Sequence, residues 1–328
     1  MKALVATAFG VTPEMVIEER PSQEVKPGFT KVRMHAATVN PLSQQIRTNN
    51  VPAAKAPLVL SNDGSGVVLE SEVFAIGSKV AIYGGGSLGI TEDGLQQQEV
   101  VVENKWIVEL PNNISLDEAA AIPINYVSAF QAIHRVGQFK KEQTALISGA
   151  SGSLGNALIQ LVKAAGGKAI AVVSTSDKVA NAKQSGADDV IDLSSQDLVE
   201  ATKSLTNGVG ADIAFDPVAG PVLGQLLSAL KTRGAVVSIG FAGGQTAEID
   251  VVDVVVYEKK LLGFDAHLET DEDVKFVFEQ LKELIKHGKV KPRIDSVYTL
   301  NQYQEAYDHL ISRKAQGTIL LRLQDAKE

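Results

Sequence analysis

A glycine-rich segment at residues 145–155 limits the folds open to this chain more than any other feature. The apolar run Ala145–Ser148 leads into Gly149, and Gly152 and Gly155 follow at intervals of three residues. Glycines at these positions allow a sharp turn, let a diphosphate approach bare backbone and let a helix pack closely on the preceding strand. The free N–H groups at the start of that helix attract an anion. A tight turn that binds no ligand is the alternative interpretation.

The sequence on both sides of this segment favours a dinucleotide site. Thr144–Ser148 is typical of a buried strand, Ser153–Ala165 of an amphipathic helix, and Lys168–Val173 of a second strand. Strand, glycine turn, helix and strand in this order form the pattern of a nucleotide-binding βαβ unit. We therefore predict that six residues of the turn contact the cofactor: Gly149, Ser151, Gly152, Ser153, Leu154 and Gly155.

The residues after the second strand favour NADPH over NADH. An NAD site usually has Asp or Glu at the end of this strand, where the carboxylate accepts hydrogen bonds from the ribose. Here Ser174, Thr175 and, a little further on, Lys178 follow instead, and hydroxyls with an ammonium group suit a 2′-phosphate. For Lys178, a solvated helix residue is the alternative. Asp177 is counter-evidence, but it lies beyond the end of the strand, and an N-cap role for the next helix is its alternative interpretation.

The chain divides into two regions with different patterns of predicted secondary structure. From about residue 142, strand and helix patterns alternate, which predicts βαβ units around a doubly wound parallel sheet. The residues before about 115 instead form short strands between turn signals and predict a β-rich, barrel-like domain. Ser115 and Glu118 form a capping box that predicts a helix over Ser115–Ala121. The other predicted strands are Thr30–Met34, Gly66–Leu69, Lys79–Tyr83, Gln98–Val102, Val190–Leu193, Asp212–Phe215, Ala235–Ile239, Lys260–Phe264, Ile294–Tyr298 and Thr318–Leu323, and the other predicted helices are Asp177–Gln184, Val222–Lys231, Asp271–His287 and Asn301–Ser312.

Composition excludes several classes of function. The 31 basic and 39 acidic residues give a formal net charge of −8, which disfavours nucleic acids and anionic membranes as partners. Cysteine is absent, which excludes disulfides, thiol nucleophiles and thiolate zinc sites. No apolar run reaches the roughly 18 residues of a membrane span. Met1–Ala8 is interpreted as a first strand rather than a signal peptide, so we expect a cytoplasmic protein.

Several short motifs, spread over nearly the whole chain, are found together in one known family. They are Val39-Asn40-Pro41 with Arg47, Pro123–Phe130, Gly149–Gly155, Gly186-Ala187-Asp188, Asp216–Gly220, Ile239-Gly240-Phe241 and Gly317–Leu321. On these motifs the chain resembles the medium-chain dehydrogenase/reductases, and within them the zinc-independent NADPH:quinone oxidoreductase and enoyl reductase branch.

The resemblance implies an α/β fold in two domains. A GroES-like β-barrel catalytic domain would span residues 1–120, and a Rossmann NADP-binding domain with a doubly wound parallel sheet would span 121–265. Residues 266–328 would return to the catalytic domain, with the active site in the cleft. The family also implies a homodimer through the far edge of the Rossmann sheet, read here as Asp253–Tyr257 and Leu261–Phe264. An edge covered by a loop is the alternative.

The resemblance also implies a metal-free site. Zinc-dependent relatives bind their metal through cysteines and a Gly-His-Glu motif, and the matching stretch here is Ser61-Asn62-Asp63-Gly64. Asparagine stands where the histidine would be, and no cysteine is present, so Lewis-acid activation of an alcohol by zinc is not expected.

The reaction implied is hydride transfer from NADPH to a quinone or another α,β-unsaturated carbonyl compound, a small-molecule acceptor. Asn40 matches the family asparagine near the nicotinamide or substrate, with capping of the turn at Pro41 as its alternative. Arg47 follows it in the motif. Tyr126 is a possible donor to the developing oxyanion, or simply a buried tyrosine with a backbone partner. Phe241 matches a loop residue beside the nicotinamide, with core packing as its alternative.

Two departures from the family pattern bear on the acceptor. The loop after Asn40, residues 42–52, lacks the tyrosines that the family often has, and Leu193 stands where an aromatic residue is common. Tyr83 could replace the missing phenol, unless it is a solvent-facing strand end. The alternatives to a quinone or enone reductase are therefore a 2-enoyl thioester reductase and a cofactor-binding protein with little catalysis.

Overall fold

The structure, a computed structural model, describes residues 1–324, and its elements fall into two units. Unit 1 contains Met1–Ile124, Glu269–Phe278 and the chain from Lys291 onward. Unit 2 contains Asn125–Leu268 and Glu279–Val290. The segment 266–328, predicted to return to the catalytic domain, is thus shared by the two units. No helix among the described residues has the length and apolarity needed to cross a bilayer.

The predicted elements are present apart from the edge at Asp253–Tyr257, with bounds that shift by a few residues, and several short elements were not predicted. The strands are β1 Lys2–Ala8, β2 Glu14–Glu19, β3 Phe29–Val39, β4 Leu58–Val59, β5 Asp63–Glu70, β6 Lys79–Tyr83, β7 Glu99–Glu103, β8 Ile107–Glu109, β9 Thr144–Ile147, β10 Lys168–Val173, β11 Asp189–Asp192, β12 Ala211–Asp216, β13 Leu230–Ser238, β14 Lys260–Gly263, β15 Ile294–Thr299 and β16 Thr318–Arg322. The α-helices are α1 Pro41–Arg47, α2 Leu116–Ala120, α3 Pro123–Gln131, α4 Ser153–Ala164, α5 Val179–Gln184, α6 Leu198–Leu205, α7 Pro221–Ser228, α8 Val251–Val255, α9 Asp271–Lys286 and α10 Tyr303–Ile311.

Unit 1 is built on a mainly antiparallel sheet with the strand order β15-β16-β3-β5-β6-β8, and β7 also pairs with β3. A smaller sheet has the order β2-β1-β4. In the first half of β3, Val32 and Met34 are buried and Arg33 is exposed, as alternation along a strand with one wet face requires. The β-rich first domain predicted from the sequence is therefore confirmed.

Unit 2 is built on a parallel sheet with the strand order β11-β10-β9-β12-β13-β14. Its central strands are almost continuously buried, which is typical of a parallel sheet covered on both faces. The chain order reverses between β9 and β12, and ligands of such sheets bind at this switch point. The predicted glycine turn follows β9 and so lies at that point.

Two local predictions are wrong. Asp253–Tyr257 is not a sheet edge, because Asp250 accepts a hydrogen bond from the Val252 amide at 2.9 Å and starts the short helix α8. Strand β14 forms that edge of the sheet. The stretch after Asn40, treated as a loop, begins with helix α1, because Asn40 caps it and Pro41 occupies its first position.

Candidate functional site

Glycines hold the turn after β9 against helix α4. Gly149 has a φ of 55°, in the left-handed region that favours glycine. A Cβ on Gly155 would lie 2.6 Å from Ala150 Cα and closer still to Gly149 O. Both glycines are therefore required for the turn to pack.

Gly152 serves a different purpose in the same turn. A Cβ there would lie 3.4 Å from Gly149 O and meet nothing nearer. Gly152 is the N-cap of α4, and no side chain caps the helix. The first N–H groups of a helix lack partners within it, so this end of α4 suits an anion, and the predicted residues Ser151, Ser153 and Leu154 lie around it.

The neighbouring strand β10 brings the second group of predicted residues to the same edge of the sheet. The Ala150 amide donates to Val172 O at 3.3 Å, which joins the turn to the end of β10. Directly after β10, Ser174 and Thr175 are exposed, and Lys178 Nζ donates to Ser174 Oγ at 3.1 Å. The structure thus brings the turn and the hydroxyl–lysine group together. Asp177 does not cap α5, because Lys178 holds the N-cap position.

Two carboxylates at this edge were not singled out as site residues by the sequence. Asp216, fully buried at the end of β12, accepts from Ser148 Oγ at 2.5 Å and from the Val218 amide at 2.9 Å, while its Oδ2 has no partner among the described residues. Asp192, at the end of β11, accepts from Ser176 Oγ at 2.5 Å and from Ser194 Oγ at 2.7 Å. The Ser176 hydroxyl, followed by the Ser194 donors, lowers the pKa of Asp192. Strand-end position was the signal available for both residues.

Tyr126, a predicted oxyanion donor, is buried in unit 2 with 1% of its surface exposed. Its hydroxyl donates to Gln160 Oε1 at 2.9 Å and to Asn156 Oδ1 at 3.2 Å, both on helix α4. Asn156 in turn donates to Ser185 Oγ at 2.9 Å. The phenol is therefore held by amide side chains inside its own unit.

Asn40, the first predicted catalytic residue, belongs to a buried polar cluster in unit 1. Its Oδ1 accepts from the Ser43 amide at 2.8 Å, so the capping role raised as an alternative is present. Its Nδ2 faces three acceptors, Asn62 Oδ1 at 3.1 Å, Thr38 Oγ1 at 3.2 Å and Asp63 Oδ1 at 3.3 Å. The carboxamide is consequently fixed at both ends.

Asp63 is the group in this cluster that the sequence did not identify as functional. Its carboxyl is 1% exposed, accepts from the Thr38 hydroxyl and leaves Oδ2 without a partner among residues 1–324. Burial raises its pKa to about 7, against the opposing hydrogen bonds from Thr38 and Asn40. The pairing of β3 with β5 brings it to Asn40, 23 residues away in sequence.

The remaining predicted residues are placed as follows. Arg47 is 3% exposed and its guanidinium lies 4.0 Å from the centre of the Tyr307 ring. Phe241 is 53% exposed in the loop after β13, so it is not a core residue. Tyr83 is 5% exposed and packs edge-on against Phe278, which rules out a solvent-facing strand end.

No three His, Asp or Glu side chains of the described chain are arranged to hold a metal ion.

Comparison with known proteins gives two family matches. The profile of the family described as Alcohol dehydrogenase GroES-like domain matches residues 26–112. The profile described as Zinc-binding dehydrogenase matches residues 153–283. Together they confirm the predicted combination of a GroES-like and a Rossmann domain.

Individual relatives resemble the chain over almost its whole length. A quinone oxidoreductase from Pseudomonas aeruginosa is 28% identical over 331 residues, which cover 98% of this chain and 99% of that protein. The crystal structure of an NAD-dependent alcohol dehydrogenase has a TM-score of 0.89 and 25% identity, with 99% of this chain and 100% of that one covered. Escherichia coli quinone oxidoreductase complexed with NADPH has a TM-score of 0.86 and 23% identity, covering 98% and 100%.

Proposed function

The chain belongs to the medium-chain dehydrogenase/reductase family, in its quinone oxidoreductase branch, and is an oxidoreductase; on this premise we propose that it is a zinc-independent, NADPH-dependent reductase. The proposed acceptor is a quinone or another α,β-unsaturated carbonyl compound. NADPH, when bound, supplies the hydride. The observation that supports this most is the meeting of the uncapped start of α4 with Ser174 and Lys178 at one edge of the parallel sheet.

In this proposal, unit 2 holds the cofactor by its phosphates. The N–H groups at the start of α4 receive the diphosphate, and Gly152 leaves the backbone open to it. Lys178 and the hydroxyls of Ser174 and Thr175 hold the 2′-phosphate. Phe241, exposed on its loop, packs beside the nicotinamide. A nicotinamide cofactor follows from the family, and the preference for NADPH rests on the lysine–serine pair.

Unit 1 supplies the polar group for the acceptor. The two Nδ2 hydrogens of Asn40 face three acceptors at 3.1–3.3 Å, so one long bond can be exchanged for the carbonyl oxygen of a substrate. A donor fixed in this way stabilises the negative charge that develops on that oxygen. Asp63 and Asn62 keep the carboxamide in place. The proposal of a metal-free reaction rests on the missing cysteines and on asparagine at position 62.

A homodimer is also proposed, through the edge strand β14. Leu261 on this strand is 49% exposed, and Val255 and Val256, a few residues before it in sequence, are 70% and 65% exposed. An exposed strand edge with apolar side chains is a template for pairing with a second copy. Sedimentation of the purified protein tests this. The cytoplasmic location stays a prediction.

Two measurements test the proposed function. Fluorescence titrations with NADPH and NADH in parallel give the cofactor preference, and stopped-flow oxidation of the preferred cofactor against a quinone, an enone and a 2-enoyl thioester gives the acceptor class. We expect tighter binding of NADPH and turnover with the quinone or enone. Preference for NADH would contradict the cofactor assignment, and turnover with the thioester alone would contradict the acceptor assignment.

A second candidate function, cofactor binding with little catalysis, is favoured by one observation. Tyr126 and Arg47 are both buried, and each is engaged by residues of its own unit. Two of the three predicted catalytic side chains would then serve stability. Tight NADPH binding without turnover on any of the three acceptors would support this candidate over the reductase.

A further inference from the structure

Unit 1 contains a cavity that neither Asn40 nor Asp63 lines. Its volume is about 590 Å³, within the range of roughly 300–1,000 Å³ typical of small-molecule sites. The solvent-exposed face of β3 forms one wall of the cavity. The turn after β15 forms a second wall, and the end of β16 forms a third. The polar and charged lining residues include Lys2, Arg33, His35, Asn301, Arg322 and Gln324.

The charge of this cavity is opposite to that of the chain. The lining includes Lys2, Arg33 and Arg322 as cations and no Asp or Glu, although the formal net charge of the protein is −8. One carboxylate lies behind the wall: Asp117 binds Arg322 Nη2 through both oxygens at 2.8 Å and His35 Nε2 at 2.8 Å. The His35 bond, followed by Arg322, lowers the pKa of Asp117, so this carboxylate is ionised and offsets one of the cations.

Arg33 is a lining cation for which residues 1–324 provide no hydrogen-bond or ion-pair partner. Its guanidinium makes no hydrogen bond or ion pair with any described residue and lines the cavity. Glu99 is its cross-strand neighbour on β7, but the Glu99 carboxylate accepts from Ser22 Oγ at 2.6 Å and forms no ion pair with Arg33 within residues 1–324. The guanidinium fork is therefore free to bind a planar oxyanion through two parallel hydrogen bonds.

Arg322 provides a second, independent observation. Its Nε–H is buried and has no acceptor among the described residues, although Nη2 is fully used by Asp117. Buried donors in native proteins are nearly always bonded, and an exception points to a water, an ion or a ligand that completes the site. Arg322 and Arg33 line the same cavity.

We propose that this cavity is a binding site for a small organic anion, whose carboxylate or phosphate group binds the Arg33 guanidinium and the Arg322 Nε–H. Thr299 and Asn301 in the turn after β15, and Gln324 after β16, supply hydrogen bonds for the rest of such a molecule. All residues that line this cavity lie in unit 1.

The test uses citrate and inorganic phosphate as probes, titrated calorimetrically into the full chain at constant ionic strength. We expect both to bind, and Arg33→Gln to weaken binding by about tenfold or more, since a charge-assisted bidentate contact is lost. The affinity of Arg33→Lys, which keeps the charge but loses the guanidinium fork, should lie between the affinities of wild type and Arg33→Gln. Lys55→Gln is the matched control, because Lys55 is an exposed cation of unit 1 outside the cavity.

A second readout locates the ligand. In protein labelled with ¹⁵N-arginine, the Nε–H signal of Arg322 should shift on addition of citrate, and the shift should be lost in Arg33→Gln. Phosphate bound at the glycine turn would be insensitive to Arg33→Gln and so is distinguished. The proposal is wrong if neither probe binds, if Arg33→Gln and Lys55→Gln bind citrate equally well, or if the Arg322 signal does not move.

Discussion

The guanidinium carbon of Arg47 lies 4.0 Å from the ring centre of Tyr307, and both side chains are buried in unit 1. The contact joins the end of α1 to α10. Arg47 Nε also donates to Gln44 Oε1 at 2.7 Å, and the Tyr307 hydroxyl donates to Gln96 Oε1 at 3.2 Å. Burial lowers the pKa of Arg47 and raises that of Tyr307 to about 12. A cation over a ring, removed from water, holds these two helices in place.

Arg47→Ala should therefore act on stability. We expect the free energy of unfolding to fall by about 2–4 kcal/mol, because a desolvated cation–π contact and the buried arginine stem are both lost. Urea unfolding of wild type and variant measures this. Arg33→Ala is the matched control, since the exposed Arg33 should change stability by less than about 0.5 kcal/mol. Equal losses in the two variants would contradict a structural role for Arg47.

Asp63 should make stability depend on pH. Burial raises its pKa from 3.8 to about 7, so between these values the folded chain holds a proton that the unfolded chain has released. The stability that this group contributes is present below about pH 4 and is lost as the pH rises through 7. One pKa unit corresponds to about 1.4 kcal/mol, which makes the whole effect on the order of 4 kcal/mol.

Asp63→Asn tests this, because asparagine keeps an oxygen for the Thr38 and Asn40 donors and cannot ionise. We expect the variant to match wild type near pH 4 and to be the more stable protein near pH 8. Urea unfolding at several pH values measures the difference, in which the other titrating groups cancel. If the difference in free energy of unfolding between variant and wild type does not change with pH, folding does not raise the pKa of Asp63.

Gly152→Ala and Gly155→Ala should separate ligand binding from folding. A Cβ added at position 152 ought to fit, since the nearest atom to it is 3.4 Å away, whereas at position 155 it would collide with backbone. Gly155→Ala should cost about 1–3 kcal/mol or more by overpacking. Gly152→Ala should fold normally and bind NADPH at least about tenfold more weakly. Thermal unfolding and fluorescence titration provide the two readouts, and full NADPH affinity in Gly152→Ala would contradict the close approach proposed there.

Lys178→Ala should weaken the binding of NADPH while leaving NADH unaffected. Its ammonium group, beside Ser174 Oγ at 3.1 Å, is the proposed partner of the 2′-phosphate, which NADH lacks. A loss of about tenfold for NADPH is expected for one exposed charge-assisted bond. Lys140→Ala is the control, since Lys140 is an exposed lysine of unit 2 distant in sequence from this group. Equal losses for both nucleotides would contradict the assignment.

The parts of the fold that local sequence determines were predictable. The central strands of unit 2 are mostly apolar runs with a glycine close to one end, and the Ser115 capping box starts α2 as expected. Local pattern failed at Val251–Val255, where consecutive β-branched residues favour a strand. There the tertiary contacts decide the outcome: Lys259 Nζ binds Asp253 Oδ1 at 2.7 Å and Leu227 O at 2.9 Å, and this buried pair holds α8 against the end of α7.

In the candidate site, too, only the residues that are close together in sequence were predictable. The glycine turn and the Ser174–Lys178 group are contiguous in sequence, and both were identified. The cluster of Asn40, Asn62 and Asp63 depends on the register of β3 with β5, which no local pattern reveals. The burial of Arg47 was equally invisible, because its ring partner Tyr307 comes from a helix 260 residues further on.

The place of β16 determines when unit 1 can be completed during synthesis. This strand lies between β15 and β3, and it pairs with β3 from Ile319 opposite Val39 to Arg322 opposite Ala36. As the ribosome elongates the chain, β3 emerges early, and the partner of its Val39 end, Ile319, follows 280 residues later. Unit 2, nearly contiguous in sequence, can fold in the meantime. Until β16 is synthesised, residues 36–39 of β3 therefore keep one unpaired edge, while β5 and β7 can already pair with the rest of the strand.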